Sequence, residues 1–552
     1  MAASRDDRPK SQGPLAGLLM RSIDQELSAP SFLVDPYPVL RRLQSEEPVH
    51  WCEPWNAWLL SRYEDVDRIL RDDGKTVSTS RSNDGRMGRA FDHFSPSERK
   101  QLQPVIDHYA VGLLSSDPPD HTRLRGLIGR AFTPQVIAGL APFIREVADE
   151  SLDRLDGASE LDLIEDFAYP LPARVLHRLI GFPDHDLDRV RDWADLITSV
   201  IGSNRVQLDV ALRGQQGLIE ARAYIRALVE QRRHSPHDDL ISRLGLAQEQ
   251  LSEAELVNTL TTFLVGGHET TTALISSGLL ALLDQPGEMA RLRADPTLME
   301  DAVEEFMRYE SPVQRVIRFA KRDIVVGDRE IRKDQPMFLM IGAANRDPER
   351  FEDPERLDIG RRPNRHLGFV MGLHHCTGAP LARLQAAIAI PAILDRYDTI
   401  RSATDTPEWY PNHTARRLLR MPLIVTTGAA RSTGQDQQTG SPQRGGAHDI
   451  GLVADFDVGT MRLVDIAGAS ILVANVDGRI HALQGTCSHE DYPLDDGELE
   501  DQTVTCGLHY SRFDLRDGSV IDPPAESPLV THQVTIRDGR VFVRLSPAMV
   551  KS

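Results

Sequence analysis

His366-Leu-Gly-Phe-Val-Met-Gly-Leu-His-His-Cys-Thr-Gly-Ala-Pro-Leu-Ala-Arg383 decides how the chain is read. Cys376 stands at its centre, just ahead of an apolar run from Ala379 to about Tyr397 whose Leu, Ala and Ile spacing predicts a helix. A thiol at a helix start is drawn toward thiolate by the helix dipole and the free backbone N–H groups. Gly372 and Gly378 let the backbone pass close to something flat and bulky, and His374 and Arg383 bring charge nearby. Such a thiolate suits an axial ligand to haem iron. A buried inert thiol is the plainer reading, but Phe369-x-x-Gly372-x-x-x-Cys376-x-Gly378 fixes four positions together and argues against it.

The rest of the chain must be large enough to bury such a group. It has 552 residues, which implies more than one domain. A net charge of −19 argues against a nucleic-acid partner. No apolar run reaches membrane-spanning length, and the polar start Met1-Ala-Ala-Ser-Arg-Asp-Asp-Arg-Pro-Lys10 lacks a signal-peptide core. A cytoplasmic protein without membrane contact is expected. Four cysteines, Cys52, Cys376, Cys487 and Cys506, fit a reducing compartment and exclude a disulfide scaffold. Cys52 reads as a packed structural thiol.

Four stretches are expected. Residues 1–30 form a flexible N-terminus and 31–426 a mainly helical domain with small sheets. A linker follows at 427–447, and 448–546 form a small all-β domain. A helix is predicted to open near Asp35, a strand over Ala57–Arg62, and a second helix from Tyr63; 75–112 read as one long loop. Between Thr427 and Gly446 there is no aliphatic run, and about 20 such residues reach on the order of 25 Å. Beyond it the period switches to two, with Asp-Gly pairs at 477–478, 517–518 and 538–539 marking turns.

Leu264-Val-Gly-Gly-His-Glu-Thr-Thr271 puts an acid and an alcohol after two glycines inside an apolar helix, where Glu269 and Thr270 could pass protons into a local groove. Glu305-Phe-Met-Arg308 sets opposite charges on one helix face. Asp117-Pro-Pro-Asp-His-Thr-Arg-Leu-Arg125 opens a helix with His121 and Arg125 at i,i+4. With the Cys376 loop, these stretches resemble the cytochrome P450 family over nearly all of 31–425. The resemblance implies a haem-thiolate fold with heme b, Cys376 on the iron, and Phe369, Gly372 and Gly378 framing it. His121, Arg125, Arg318 and His374 would then meet the haem propionates, and Glu269 and Thr270 would serve oxygen activation. It also implies a structural triad of Glu305, Arg308 and Arg356. Bacterial members usually carry glycines where this chain has Val370 and Met371, which is expected to alter packing beside the haem but not ligation.

In the tail, Cys487-Ser-His489 and Cys506-Gly-Leu-His509 each supply one thiolate and one imidazole. Two Cys and two His admit zinc, but this set suits a Rieske 2Fe-2S centre, with both thiolates on one iron and both imidazoles on the other. The flanking Gly497-Glu-Leu-Glu-Asp-Gln-Thr-Val-Thr-Cys506 and Phe513-Asp-Leu-Arg-Asp-Gly518 resemble Rieske ferredoxins of bacterial oxygenase systems, with Pro523-Pro524 closing over the cluster. Residues 448–546 hold 17 Asp/Glu and 7 Lys/Arg, a net of −10, suited to docking on a basic face.

Together the two resemblances imply a monooxygenase that uses O2 to hydroxylate or epoxidise a small organic substrate. Electrons would come from NAD(P)H through a separate FAD-containing flavoprotein reductase, since no dinucleotide glycine fingerprint follows a strand here. Two alternatives are a Rieske non-haem oxygenase, for which no clustered 2-His-1-carboxylate set is found, and a haem-based sensor, which has no need of Glu269-Thr270. The substrate pocket is expected from parts of 75–112, 165–210, Phe263–Gly267, Val313–Ile317 and 408–416.

Overall fold

The computed structural model describes residues 22–72, 74–80, 91, 93–201, 206–245, 251–427, 447–466, 468–488, 493–495, 497–506, 511–522, 525 and 527–546. The N-terminal part is helical around one large apolar core. Its axis is the 32-residue helix Glu253–Asp284, which starts at a capping box: the Ser252 side chain accepts from the Glu255 N–H, and the Glu255 carboxylate accepts from the Ser252 N–H at 2.8 Å. It lies almost wholly inside the protein. Gly278 lets Phe306 press against the helix, since a Cβ there would come within 2.8 Å of the ring.

At one end lies a five-stranded sheet in the order Val49–Cys52, Ala57–Leu60, Pro336–Leu339, Val316–Ala320, Val77–Ser78. Ala57–Leu60 runs parallel to Pro336–Leu339; the other pairs are antiparallel. Cys52 is fully buried there, and burial pushes its thiol up to about 12. The helices Tyr37–Glu46, Tyr63–Leu70 and Ala379–Arg396 form where sequence spacing places them. The stretch 75–112 differs from the expected loop, because it carries the helices Pro96–Gln101 and Gln103–Tyr109. The first buries no residue, so it has no apolar stripe to show in the sequence; it is held at its start by a Ser95/Glu98 capping box.

Between the sheet and the Cys376 loop sits a buried ionic hub. Arg308 donates from Nε and a terminal nitrogen to Glu305, both at 2.8 Å, with both side chains fully buried. Arg308 also donates to the carbonyls of Asn345, Pro354 and Arg356. Glu305 further accepts from the Asp358 N–H, Asn364 and Arg361. The third charged partner is therefore Arg361, not Arg356, whose side chain is exposed while only its carbonyl joins the hub. Removing the carboxylate in Glu305→Ala strands two guanidinium groups, and stability is expected to fall by about 3–5 kcal/mol. Thermal melting and haem retention measure this.

The C-terminal part is all-β. A six-stranded antiparallel sheet has the order His448–Leu452, Arg540–Arg544, Thr531–Arg537, Arg479–Gln484, Ala469–Val476, Thr460–Ile466. A four-stranded sheet, Glu498–Glu500, Thr503–Thr505, Arg512–Asp514, Val520–Asp522, packs beside it. Ala469–Val476 alternates strictly: Leu472, Ala474 and Val476 join one core with Phe513, while Ile471 and Val473 join the other with Val541. The Asp-Gly turns at 477–478 and 538–539 have positive φ at both residues, as the tightest hairpins require. At 517–518 only Gly518 does, and its N–H returns to the Asp514 carbonyl in a wider turn.

No described helix is long and apolar enough to cross a membrane.

Candidate functional site

Two loops carry the candidate metal ligands. The first is the Cys376 loop. The Cys376 N–H donates to the Phe369 carbonyl at 2.9 Å, closing a tight hairpin whose last turn passes Gly372 at a φ of 70°. A Cβ on Gly372 would meet the Leu70 carbonyl at 2.4 Å, so only glycine fits. Val370 sits in the same hairpin with a φ of 62°, a conformation that β-branched residues resist. Phe369 is buried under the guanidinium of Arg383, 4.5 Å from its ring centre. Arg383 in turn grips Glu304 at 2.7 and 2.8 Å.

Cys376 lies between the buried His375 and the buried start of the next helix, Ala379. Burial within the protein pushes its thiol pKa up, offset by the N–H groups of Gly378 and Ala379 and by the charges of Arg125 and Arg383. The N–H groups and the two guanidiniums favour the thiolate form, and a coordinated iron would favour it further.

Four cationic or imidazole side chains converge beside this loop from three segments: His121 and Arg125 from the helix Asp120–Ala131, Arg318 from a strand and His374 from the loop itself. His121 and His374 rings stand 4.3 Å apart. Arg318 is buried on strand Val316–Ala320, and Arg125 donates to the His375 carbonyl. His374 also shares a 2.9 Å hydrogen bond with the Thr79 hydroxyl. Burial, and then the charges of Arg318, His121 and Arg125, hold His374 well below its ordinary pKa. A cluster that repels its own protons is chemically matched to an anion, and the two carboxylates of a haem fit that donor set.

The helix after Cys376 packs against the central helix Glu253–Asp284. That helix is unbroken at Gly266-Gly267. The accessible residue there is Gly266, and Thr270 donates to its carbonyl at 2.8 Å instead of opening the helix. Glu269 is buried, and its Oε1 has no hydrogen-bond partner among the described residues. Its other oxygen lies 3.8 Å from Arg417, which donates at 3.1 Å to the half-exposed Asp195 on helix Leu187–Ile201. Sequence reasoning missed Arg417 and Asp195. They meet Glu269 only through tertiary packing, and no spacing announces it.

Burial raises the Glu269 pKa from 4.5 to about 7, with Arg417 pulling the other way. The folded protein therefore keeps a proton that the unfolded chain releases near 4.5. Between those values the native state binds more protons, so stability falls as pH rises through that window. In Glu269→Gln this fall, worth roughly 3 kcal/mol at most, is expected to vanish. Melting curves at pH 5 and pH 8 for both proteins check it.

The second pair of loops lies in the β domain. Cys487 and Cys506 are both buried in the core shared by its two sheets. The Cys487 loop is closed by a bridge between Thr486 and Pro493, and the Cys506 loop by the Cys506 N–H to the Ser511 carbonyl at 2.9 Å. His489, His509 and Pro523-Pro524 lie outside the described residues.

The two parts touch. Arg365, just before the Cys376 hairpin, donates to the Gly497 carbonyl at 2.8 Å and lies 3.7 Å from the Glu498 carboxylate. A small cleft between them is lined by Val370, Met371 and His375 on one side and Glu498, Thr505 and Cys506 on the other.

Comparison with known proteins agrees with this division. Residues 93–422 match the Cytochrome P450 family and residues 447–533 the Rieske [2Fe-2S] domain. Polyketide biosynthesis cytochrome P450 PksS of Bacillus subtilis is 38% identical over 407 residues, 71% of this chain and 96% of that protein. Cytochrome P450 monooxygenase PikC of Streptomyces venezuelae is 35% identical over 420 residues, 73% of this chain and 94% of that one. Among solved structures, myxobacterial cytochrome P450 CYP267B1 in complex with myristic acid is 37% identical with a TM-score of 0.66, covering 73% of this chain and 99% of its own.

Proposed function

The chain belongs to the cytochrome P450 monooxygenase family and continues into a Rieske [2Fe-2S] domain, and from that premise we propose that it hydroxylates or epoxidises a small organic substrate with electrons relayed by its own tail. The electrons come from NAD(P)H through a separate FAD-bearing flavoprotein reductase. PksS, named for polyketide biosynthesis, and PikC, named as a monooxygenase, support oxidation of a small organic substrate, with a polyketide as the candidate class.

Cys376 would hold the haem iron, with Phe369, Gly372 and Gly378 shaping the loop; His121, Arg125, Arg318 and His374 would hold the haem carboxylates. Cys487, His489, Cys506 and His509 would hold the cluster. When bound, the haem supplies O2 activation and insertion of one oxygen atom, and the cluster supplies electrons one at a time. The protein's own contribution is protons and exclusion of water. Glu269 carries a proton near neutral pH because burial disfavours its charge. Arg417, held by Asp195, fixes the second oxygen of Glu269 from outside the helix and leaves its Oε1 free to hold or release the proton. The Thr270 hydroxyl, resting on the Gly266 carbonyl, is one residue away and can rotate to donate into the site.

The observation that carries this reading is the buried Glu269, its Oε1 without a hydrogen-bond partner among the described residues, beside Thr270 in the middle of an apolar helix, an arrangement with no use in a sensor. Thr270→Ala is expected to keep NAD(P)H consumption near the original rate while shifting most of the reducing equivalents from product to peroxide. Product and peroxide assayed against NAD(P)H consumed give the ratio; unchanged coupling with a true substrate would remove Thr270 from the proton route.

A further inference from the structure

Val370 is held at a φ of 62°, where a β-branched side chain is costly and glycine is not. Glycine would relax the turn, so its absence calls for a reason outside the turn. The side chain of Val370 does not point into the haem-domain core alone; with Met371 it lines the cleft against Thr505 and Cys506. Around this apolar centre the polar contacts pair opposite charges. Arg365 meets Gly497 and Glu498. Arg362, bound chiefly by Asp301 at 2.8 Å, also feels the carboxylate of Asp495. The chain supplies both surfaces, and the tail's net charge of −10 matches an arginine-bearing face.

We propose that Val370 and Met371 form the seat on which this chain's own Rieske domain docks, with Arg365–Glu498 as its orienting clamp and the backbone strain at Val370 retained to present that seat. The proposal rests on the electron relay described above. It assigns positioning roles to Arg365, Glu498 and Val370; none of them touches substrate. Each transfer across the seat oxidises the cluster by one electron and reduces the haem iron by one, and no proton need move. Because Arg365 and Glu498 remain partly exposed, the clamp is orienting more than adhesive, and it weakens with salt.

The test uses the full-length holoprotein. In Arg365→Lys, a zero-length carbodiimide is expected to join the new amine to Glu498 within one chain, read as a linked peptide by mass spectrometry and lost in the Arg365→Lys/Glu498→Gln double variant. Absence of that peptide, with haem and cluster spectra intact, overturns the seat. In stopped-flow reduction of the haem by the pre-reduced cluster, Arg365→Glu and Glu498→Arg are each expected to slow transfer roughly tenfold, and their combination to restore it. Unchanged rates in the single variants overturn the clamp. Val370→Gly is expected to raise the melting temperature by about 2 °C while slowing transfer; faster or equal transfer removes the role of Val370. If the Arg365→Lys protein cross-links but shows no cluster-to-haem transfer, the relay fails and the docking stands.

Discussion

Cys376→Ser abolishes the thiolate-type absorption band of the reduced carbon-monoxide complex and takes turnover below detection, while the electron paramagnetic resonance signal of the reduced cluster is unchanged. The expectation follows from position and from separation. Of Cys52, Cys376, Cys487 and Cys506, only Cys376 lies in a glycine-framed loop at a helix start within the haem domain. Its hairpin is pinned by the Phe369 carbonyl and by Gly372 against Leu70, so a serine would occupy the same place without a soft, electron-rich donor. Cys52 cannot substitute, since it is buried under the sheet with its pKa pushed up to about 12. The cluster cysteines sit in a separate core, and nothing in that core depends on residue 376. A variant that kept the thiolate-type band would show that another residue ligates the iron.

Truncation after Thr426 has an effect of similar size by a different cause. The shortened protein is expected to bind haem and to give the same substrate-induced Soret shift, yet to lose turnover when supplied with reductase alone. A free Rieske ferredoxin at about 1 μM should restore only on the order of one part in a thousand, because a short tether holds its partner near 1 mM. Raising the free carrier toward that range should close the gap. Added salt should hurt the separated pair more than the intact chain, as only the former relies on long-range attraction to meet. Full activity of the truncated protein with reductase and no carrier would show that the tail is not the electron donor.

What the sequence disclosed was whatever local chemistry imposes. A glycine-framed hairpin and the helix that follows it lie within a dozen residues, so the shape of the Cys376 stretch could be read directly, as could the alternating strands of the tail. Contacts assembled by packing could not. Arg417 lies 148 positions from Glu269 and becomes its partner only because the Leu418–Arg420 strand runs past the central helix. Arg361 replaced Arg356 in the ionic hub because the turn at Asp353, with a φ of 44°, sends the Arg356 side chain outward and returns only its carbonyl. Pro96–Gln101 escaped notice for lack of an apolar face, although Ser95-Pro-Ser-Glu98 carried a legible start signal. Val370 was marked as a departure in packing; that it also bends the backbone against its preference needed coordinates.

The bond from Arg365 to the Gly497 carbonyl, with Cys506 at the cleft it closes, sets a rhythm for the whole machine. Inserting one oxygen atom consumes two electrons, and the tail can carry only one. Under the relay proposed above, each product molecule requires the same domain to be loaded twice, on a surface its electron donor can reach. A side of the cluster that is covered in the delivering posture is closed to the reductase for as long as the posture lasts. The domain must either be charged from its opposite side or leave and come back between the first electron and the second. In the latter case the half-reduced enzyme waits for the domain's second visit before the oxygen atom can be inserted.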